Sequence, residues 1–420
     1  MVRIKITPYC LLWLIVLWPL AASADELSLT LEQAIDQALR EAPQIVASTA
    51  MLEGAAAVAP SAGRLPDPEL VTAVDNMPVN TADRFSFTRD FMTMRRVGVM
   101  QSFPNHEKRR LLNQQAEGEI AVARGELRKA QFDTARAVAE AWISSAVAEQ
   151  SLARLRNLKS ATQLQAGAGR AALASGRASA AEALAAQSLD ASLDERMLSF
   201  EQDAQMKRAE LARWLGAAGD RALAPIPADR ELGHSIEALM NGVPEHAPLA
   251  PLVAQLEVAR TEVALARADK RPDWSAALSY SQRGPAYSNM VSLEFRIGLP
   301  LFTSSRQNPR IAEKLAAVRA QEAERDGEIR MHTAEVRAAL AQWRIGRERL
   351  QHLASELLPL QRDRARAALA SYSAGRGDLR SALQALTEEI GTELDDVQLQ
   401  GSVARAWVFL HLLHNAGTAK

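Results

Sequence analysis

Four methionines near the end of the first quarter of the chain are the first residues whose chemistry is distinctive: Met77, Met92, Met94 and Met100. Thioether sulfur is a soft ligand that suits Cu(I) or Ag(I). Methionine is also ordinary apolar filler, which is its more common role. The sequence leaves both interpretations open, a soft-metal contact or simple packing.

The histidines give a weaker indication of a metal site than the methionines do. They are His106, His234, His246, His332, His352, His411 and His414. Only the last two would share a helical face, and two imidazoles without a nearby carboxylate or thiolate make a poor metal site. The sequence also has no GxSxG, HExxH or P-loop motif. We therefore predict no resident metal, no cofactor and no enzymatic activity.

The first 24 residues have the features of a secretory signal peptide. Arg3 and Lys5 precede an apolar stretch at residues 9–20, and Ala22-Ser23-Ala24 is a cleavage site. An uncleaved anchor is the alternative. The only cysteine, Cys10, lies in this segment, so we predict a mature chain without thiol chemistry. Taking two basic residues from 49, against 50 acidic ones, leaves a net charge of −3, which implies no nucleic-acid partner.

The remaining chain contains a tandem repeat. Landmarks of the first half recur in the same order roughly 190 to 210 residues later. The pairs are Glu41-Ala42-Pro43 with His246-Ala247-Pro248, Leu65-Pro66-Asp67-Pro68 with Arg271-Pro272-Asp273-Trp274, Ser102-Phe103-Pro104 with Gly298-Leu299-Pro300, Trp142 with Trp343, Gly176-Arg177 with Gly375-Arg376, and Trp214 with Trp407. We predict a first repeat over 25–215, a connector over 216–248, a second repeat over 249–414 and a tail over 415–420.

Each repeat reads as a helix, two strands and a long helical hairpin. In the first repeat, a Thr30 capping box starts a helix to about residue 62, strands follow at about 69–76 and 95–103, and helices at about 106–173 and 180–215. In the second, strands at 274–281 and 290–299 precede a helix from an Asn308 N-cap to about residue 372, kinked at Pro359, and a last helix to about 414. The long helices carry a seven-residue apolar period, which predicts coiled-coil packing.

The strands of the second repeat alternate between apolar and polar residues. An apolar face and a small or charged face suit a barrel with lipid outside and water inside, although a soluble sheet can alternate in the same way. The residues that would line the lumen are Ser275, Ser279, Ser292, Glu294 and Arg296. Because four strands cannot close a barrel and open edges in lipid are costly, a membrane location predicts an oligomer with a shared barrel.

The chain resembles the TolC-like outer-membrane efflux family over about residues 26–412. The sharpest stretches are Gly63–Pro68, Asp75–Pro78 and Met92–Pro104, which are similar to the branch that serves heavy-metal exporters of the resistance-nodulation-division type. The resemblance implies a mainly helical chain whose four strands join a trimeric, twelve-stranded outer-membrane β-barrel, with coiled-coil hairpins forming a tube in the periplasm of a Gram-negative cell. It also implies a passive exit duct whose partners are a periplasmic adaptor and an inner-membrane pump.

In the family, the hairpin turns form a gated periplasmic tip. Tyr372 matches the family's tip tyrosine, and Glu182 matches a tip carboxylate of the first repeat. In the second repeat, Ser381 stands where an acid is common, which departs from the family. The tip candidates implied by the resemblance are Gly176, Arg177, Glu182, Tyr372, Gly375, Arg376 and Asp378. The glycines could instead serve only as tight turns.

Two other functions remain open. A duct of the same family could carry drugs and other organic compounds instead of metals. A periplasmic adaptor or scaffold also carries helical hairpins, but usually one hairpin flanked by β-rich domains. Two hairpins, each preceded by two strands, favour the duct.

Overall fold

The computed structural model describes residues 28–174, 179–233 and 235–418. The predicted signal peptide, Gly176, Arg177 and His234 lie outside the described residues. The helices are α1 (Leu31–Glu41), α2 (Pro43–Val58), α3 (His106–Ala174), α4 (Ala180–Leu215), α5 (Ile236–Asn241), α6 (Ala250–Ala268), α7 (Gln307–His352), α8 (Leu358–Ser373) and α9 (Leu379–Thr418). The strands are β1 (Glu69–Asp75), β2 (Met94–Phe103), β3 (Trp274–Gln282) and β4 (Met290–Ile297). The prediction of a mainly helical chain with four strands is confirmed.

The first helix begins as predicted but is not continuous. The Thr30 side chain accepts a hydrogen bond from the Gln33 amide at 3.2 Å, and the Gln33 side chain accepts one from the Thr30 amide. The predicted single helix to residue 62 is wrong, because Ala42 is extended (φ −64°, ψ 126°) and Pro43 begins a second helix. A residue before proline is pushed out of the helical region by the proline ring.

The four strands form one antiparallel sheet in the order β1-β2-β3-β4. The central pair, β2 and β3, joins the two halves of the chain, with Phe103 opposite Trp274 and Arg96 opposite Ser281. The rings of Phe103 and Trp274 stack with centroids 4.1 Å apart. Chain order and sheet order coincide, so β1 and β4 are the edges.

The bounds of the long helices agree with the predicted ones except at the start of α7, at the end of α9 and at the break before Pro359. The predicted N-cap at Asn308 is wrong, because α7 already begins at Gln307 after Arg306, which has no capping side chain. The last helix continues to Thr418, through part of the predicted tail. The predicted kink at Pro359 is a single wide π turn over Leu353–Leu357, after which α8 begins. A wider turn accommodates the hydrogen bond that proline cannot donate.

The core lies midway along the helices, where the connector wraps them. Trp142, Leu29 and Leu211 are fully buried there, together with Val138 and Ala404. Leu29 also forms a parallel bridge to Leu223, so the start of the described chain pairs with the connector. The predicted seam of α7 contributes fully buried Val336.

Among the described residues, no helix combines the length and the apolar character needed to cross a membrane.

Candidate functional site

The sheet has one polar face, and the residues predicted to line a lumen lie on it. Residues directly opposite each other in an antiparallel pair point to the same side. Ser275 is opposite Arg296, Ser279 is opposite Ser292, and Glu294 is opposite Ala277, two residues from Ser275 and from Ser279. The five predicted residues therefore share one surface; whether it faces a lumen remains a prediction.

This face also carries ion pairs. The Arg96 Nε lies 3.0 Å from the Asp75 Oδ2 across β1 and β2, and the Arg296 Nε donates to the Glu294 Oε1 at 2.5 Å. The Asp75–Arg96 pair was not predicted from the sequence. Arg96 is an even number of residues from Gly98 and Ser102, so an alternating strand places all three on the same face. The face is thus charged but largely neutralised by pairing.

Three methionines complete the polar face. Met100 lies opposite Glu69 and Ala277, Met94 lies opposite Asp75, and Met290 lies opposite Ser281. The Arg296 Nη1 donates to the Met100 sulfur at 3.8 Å. None of these three thioethers lies on the apolar side of the sheet, where filler would be expected.

The opposite face is apolar and exposed. One row runs straight across all four strands: Leu70, Val99, Leu278 and Leu293, each more than half exposed. The other exposed large apolar residues of this face are Val74, Val97, Trp274, Tyr280, Val291, Phe295 and Ile297. A continuous apolar surface of this size needs a covering medium or partner.

At the far end of the helices, the turn between α8 and α9 is built around Gly375. Its φ is +71°, a left-handed conformation that favours glycine. The Gly375 amide donates to the Tyr372 carbonyl at 2.9 Å, and the Arg376 amide donates to the Ser371 carbonyl at 2.9 Å. These two bonds define a Schellman motif, which ends α8 sharply.

The other described tip candidates surround this turn. Tyr372 is half-buried against Leu379 and Leu383, whereas Arg376 is exposed. The Asp378 carboxylate accepts bonds from the Ser381 amide and hydroxyl, both at 2.8 Å, and so caps α9. The hydrogen bond that the Ser381 backbone amide donates lowers the pKa of the Asp378 carboxyl. Glu182 lies in the first turn of α4, but its side chain is outside the described part of the structure.

Two ion pairs join α8 to α9 just behind the turn. Arg362 Nη2 lies 2.8 Å from the Glu393 Oε1, and Arg364 pairs with Glu388. The hydrogen bond to Glu393 raises the pKa of Arg362. These ion pairs connect the two helices of the hairpin, and neither pair was predicted from the sequence.

The structure brings together two histidines that the sequence left scattered. The Nδ1 of His246 lies 3.0 Å from the Nε2 of His332, and the Nδ1 of His332 lies 3.3 Å from the Glu335 carboxylate. Burial, followed by the neighbouring His332, lowers the pKa of His246 to about 4, and burial lowers that of His332. No group of three or more potential metal ligands occurs within the described ranges.

Comparison with known proteins bears on this arrangement of sheet, hairpins and connector. Residues 245–416 match the profile of the family described as outer membrane efflux protein. The matched segment runs from the end of the connector to the end of α9. None of the curated proteins matches the chain significantly.

Solved membrane proteins, an outer-membrane channel among them, share the fold along nearly the whole chain. A membrane protein from Pseudomonas aeruginosa superposes with a TM-score of 0.79 at 18% identity, over 91% of this chain and 92% of that one. The outer membrane protein VceC from Vibrio cholerae gives 0.75 at 20% identity, over 92% and 96%. The MtrE outer membrane channel of Neisseria gonorrhoeae, in its open state, gives 0.75 at 15% identity, over 92% and 88%. The chain therefore has the TolC-like fold of these channels.

Proposed function

We propose that the protein is the outer-membrane exit duct of a tripartite efflux system and that its cargo is heavy-metal cations. The observation that carries the duct is the sheet, which has an exposed apolar face, a charged opposite face and two open edges. A surface of this kind is stable where lipid covers one side and water fills the other.

The open edges require more than one copy of the chain. In lipid, each unpaired N–H or C=O group of β1 and β4 would cost several kcal/mol. Pairing β4 of one copy with β1 of the next removes these edges, and three copies supply twelve strands. The open edges require an oligomer with a shared barrel, and the resemblance to the TolC-like family implies that this oligomer is a homotrimer.

The polar face would then line the lumen. The residues that would meet water and cargo are Ser275, Ser279, Ser292, Glu294 and Arg296. Because Glu294 and Arg296 pair with each other, neither charge would hold the cargo strongly. The protein would be a passive conduit, because no step of the transport needs a reaction on the cargo. Energy would come from an inner-membrane pump of the resistance-nodulation-division type.

The hairpin turns would form the periplasmic tip, where a periplasmic adaptor docks. Gly375, Arg376, Asp378 and Tyr372 would contribute the second-repeat half of this tip, and Gly176, Arg177 and Glu182 the first-repeat half. The ion pairs behind Gly375 hold α8 and α9 as one unit, so that the hairpin can move without separating.

The metal cargo is supported by residues 63–104, which resemble the heavy-metal branch, and by the methionines on the polar face. A general duct for organic compounds has the same fold and makes the same assembly. The two are distinguished by the cargo test below.

Cysteine cross-linking across the strand edges tests the assembly. We would combine Leu70→Cys or Thr72→Cys on β1 with Val291→Cys or Leu293→Cys on β4; the one native cysteine, Cys10, lies in the predicted signal peptide. At least one pair should oxidise to a covalent trimer in the outer-membrane fraction, since paired strands bring Cα atoms within about 4.4–6.8 Å. Val46→Cys with Met51→Cys, both exposed on α2, is the control and should not cross-link in this way. A monomer in the soluble periplasmic fraction would instead indicate an adaptor or scaffold.

Gene deletion tests the cargo. Growth would be measured on copper, silver, cobalt, nickel, zinc and cadmium salts, beside drugs and detergents. Sensitivity confined to metals, and reversed by the intact gene, would support a heavy-metal duct. Sensitivity to drugs alone would overturn the metal cargo and leave the general duct.

A further inference from the structure

The three methionines of the sheet lie on its polar face. Met94, Met100 and Met290 all point to the polar face. The opposite face has no methionine: its large apolar residues are Leu, Val, Ile and aromatic residues, with Arg95, Gln101 and Gln282 towards its ends. In the proposed duct the polar face meets water and the apolar face is covered by lipid, so a largely apolar thioether used only as filler would be favoured on the apolar face. Their placement therefore calls for another explanation.

Two of the three sulfurs stand beside a carboxylate. Met94 lies directly opposite Asp75, and Met100 lies directly opposite Glu69, both on β1. Side chains so placed have Cβ atoms about 4.5–5.5 Å apart, which puts the sulfur and the carboxylate within reach of one small cation. Asp75 is also paired with Arg96, whereas Glu69 is exposed at the edge strand.

The sulfur of Met100 is turned towards polar groups. It accepts the 3.8 Å contact from the Arg296 Nη1, and Arg296 is itself neutralised by Glu294. The lone pairs of this sulfur are thus directed along the polar face and not into a packed core. A soft cation could replace the guanidinium as their partner.

We propose that the thioethers of Met94, Met100 and Met290 are contact points for soft monovalent cations, Cu(I) or Ag(I), along the polar face of the sheet. The exposed carboxylate of Glu69 beside Met100 supplies negative charge, whereas that of Asp75 beside Met94 is paired with Arg96. The sulfurs supply selectivity for soft over hard cations. Each point binds weakly and singly, which suits passage better than retention. The inference rests on the proposed duct only in taking this face as the path of the cargo.

The direct test uses purified full-length protein in lipid nanodiscs, with its methionine methyl groups labelled with ¹³C. Silver nitrate in chloride-free buffer is the probe. Met51, Met206 and Met331 are internal controls, since they are 68%, 62% and 62% exposed but lie on helices, whereas Met290 is 45% exposed. We expect the three sheet methyls to shift at about tenfold lower Ag⁺ than the controls, with no shift in Zn²⁺.

Equal shifts for sheet and helix methionines would overturn the proposal, because exposure alone would explain them. Absent shifts at the three sheet positions would do the same. This readout does not depend on transport, so it can fail while the duct itself is upheld.

A triple variant carries the test into cells. M94L/M100L/M290L removes the sulfurs and keeps the apolar volume, and M51L/M206L/M331L is its matched control. If deletion of the gene makes cells metal-sensitive, the first variant should restore zinc and cobalt tolerance but not full copper and silver tolerance. Full restoration of all four would overturn a role in passage, whereas a deletion without metal sensitivity would instead contradict the proposed cargo.

Discussion

The indole Nε1 of Trp142 donates a hydrogen bond of 3.1 Å to the carbonyl oxygen of Leu29, which lies 113 residues earlier. Trp343 repeats the bond at 3.3 Å to the carbonyl of Arg230, across the same separation of 113 residues. Each bond ties a long helix to the segment that wraps it. The coincidence supports the predicted tandem repeat, whose residue boundaries stay a prediction.

The Trp142 bond should contribute measurably to stability. Trp142→Phe removes the buried donor and part of the ring, but the Leu29 carbonyl keeps its bond from the Ala224 amide at 3.1 Å. We expect a loss of about 1–3 kcal/mol in the free energy of unfolding, measured by urea denaturation. Trp274→Phe, at a ring 44% exposed, is the control and should cost less in detergent solution. Equal losses would show that the buried bond adds nothing.

A side chain at Gly375 should lower stability for reasons of backbone conformation alone. A Cβ there would meet no atom within 4 Å, but the φ of +71° is strained for alanine. We expect Gly375→Ala to destabilise the hairpin by about 1 kcal/mol and to raise hydrogen exchange around the turn.

Gly327→Ala is a control with the opposite sign. Gly327 lies inside α7, also with nothing within 4 Å of a Cβ, and its φ is not positive. Alanine should stabilise the helix there by about 0.5–1 kcal/mol. A stabilising Gly375→Ala would contradict the Schellman turn.

The His246–His332 pair should make stability depend on pH. Both folded-state pKa values lie below the ordinary value of 6.5, that of His246 at about 4. The unfolded chain therefore binds more protons, and the stabilisation is complete above about pH 6.5 and lost as the pH falls towards 4. The slope should approach about 1.4 kcal/mol per pH unit for each proton taken up.

The neighbours of the pair modify this effect. Glu335 and Glu328 favour a first proton on His332, and Arg136 opposes it. His246→Asn can still donate to His332 but cannot titrate, so its stability should vary less between pH 7 and 4. His352→Asn, at a side chain 64% exposed, should keep the slope of the unmodified protein. Hydrogen exchange of residues 236–249 reports the same transition locally.

The ion pair between Arg362 and Glu393 should matter more than a surface pair. Glu393 is 11% exposed, so Arg362→Gln leaves a nearly buried carboxylate without its partner. We expect a loss of about 1–3 kcal/mol and a larger leak conductance in planar bilayers, because the hairpin behind the turn loosens. Arg366→Gln breaks an exposed pair with Asp363 and should change stability by less than about 1 kcal/mol.

Periodicity predicted the helices and strands well because it reports which face of each element is buried. The bounds of α4 and the start of β3 agree to the residue, since glycines and prolines surround them. The break at Pro43 was missed although Ala42-Pro43 is a sequence signal in itself. Met94 lies two residues before Arg96 and four before Gly98, so strand alternation alone could also have predicted that all three share one face.

Other features had no local signal. His246 and His332 are 86 residues apart and meet only because the connector lies along α7. Charge pairs between helices had no local signal either: Glu322 of α7 pairs with Arg260 on α6, whereas Arg325, one turn further along α7, pairs with its neighbour Asp326. Spacing along one helix cannot report a competing charge on another.

The π turn at Leu353–Leu357 makes the two hairpins mechanically unequal. Helix α3 runs for 69 residues as one rod, whereas its counterpart is jointed where α7 meets α8. A bending force at the far end of the hairpins would be transmitted along α3 to β2. In the second hairpin, the π turn between α7 and α8 would take up part of the same force. Helix α9 is itself unbroken over 40 residues and packs along both α3 and α7, so it would have to bend wherever the joint bends. The second hairpin should therefore flex gradually, with its largest curvature opposite the π turn.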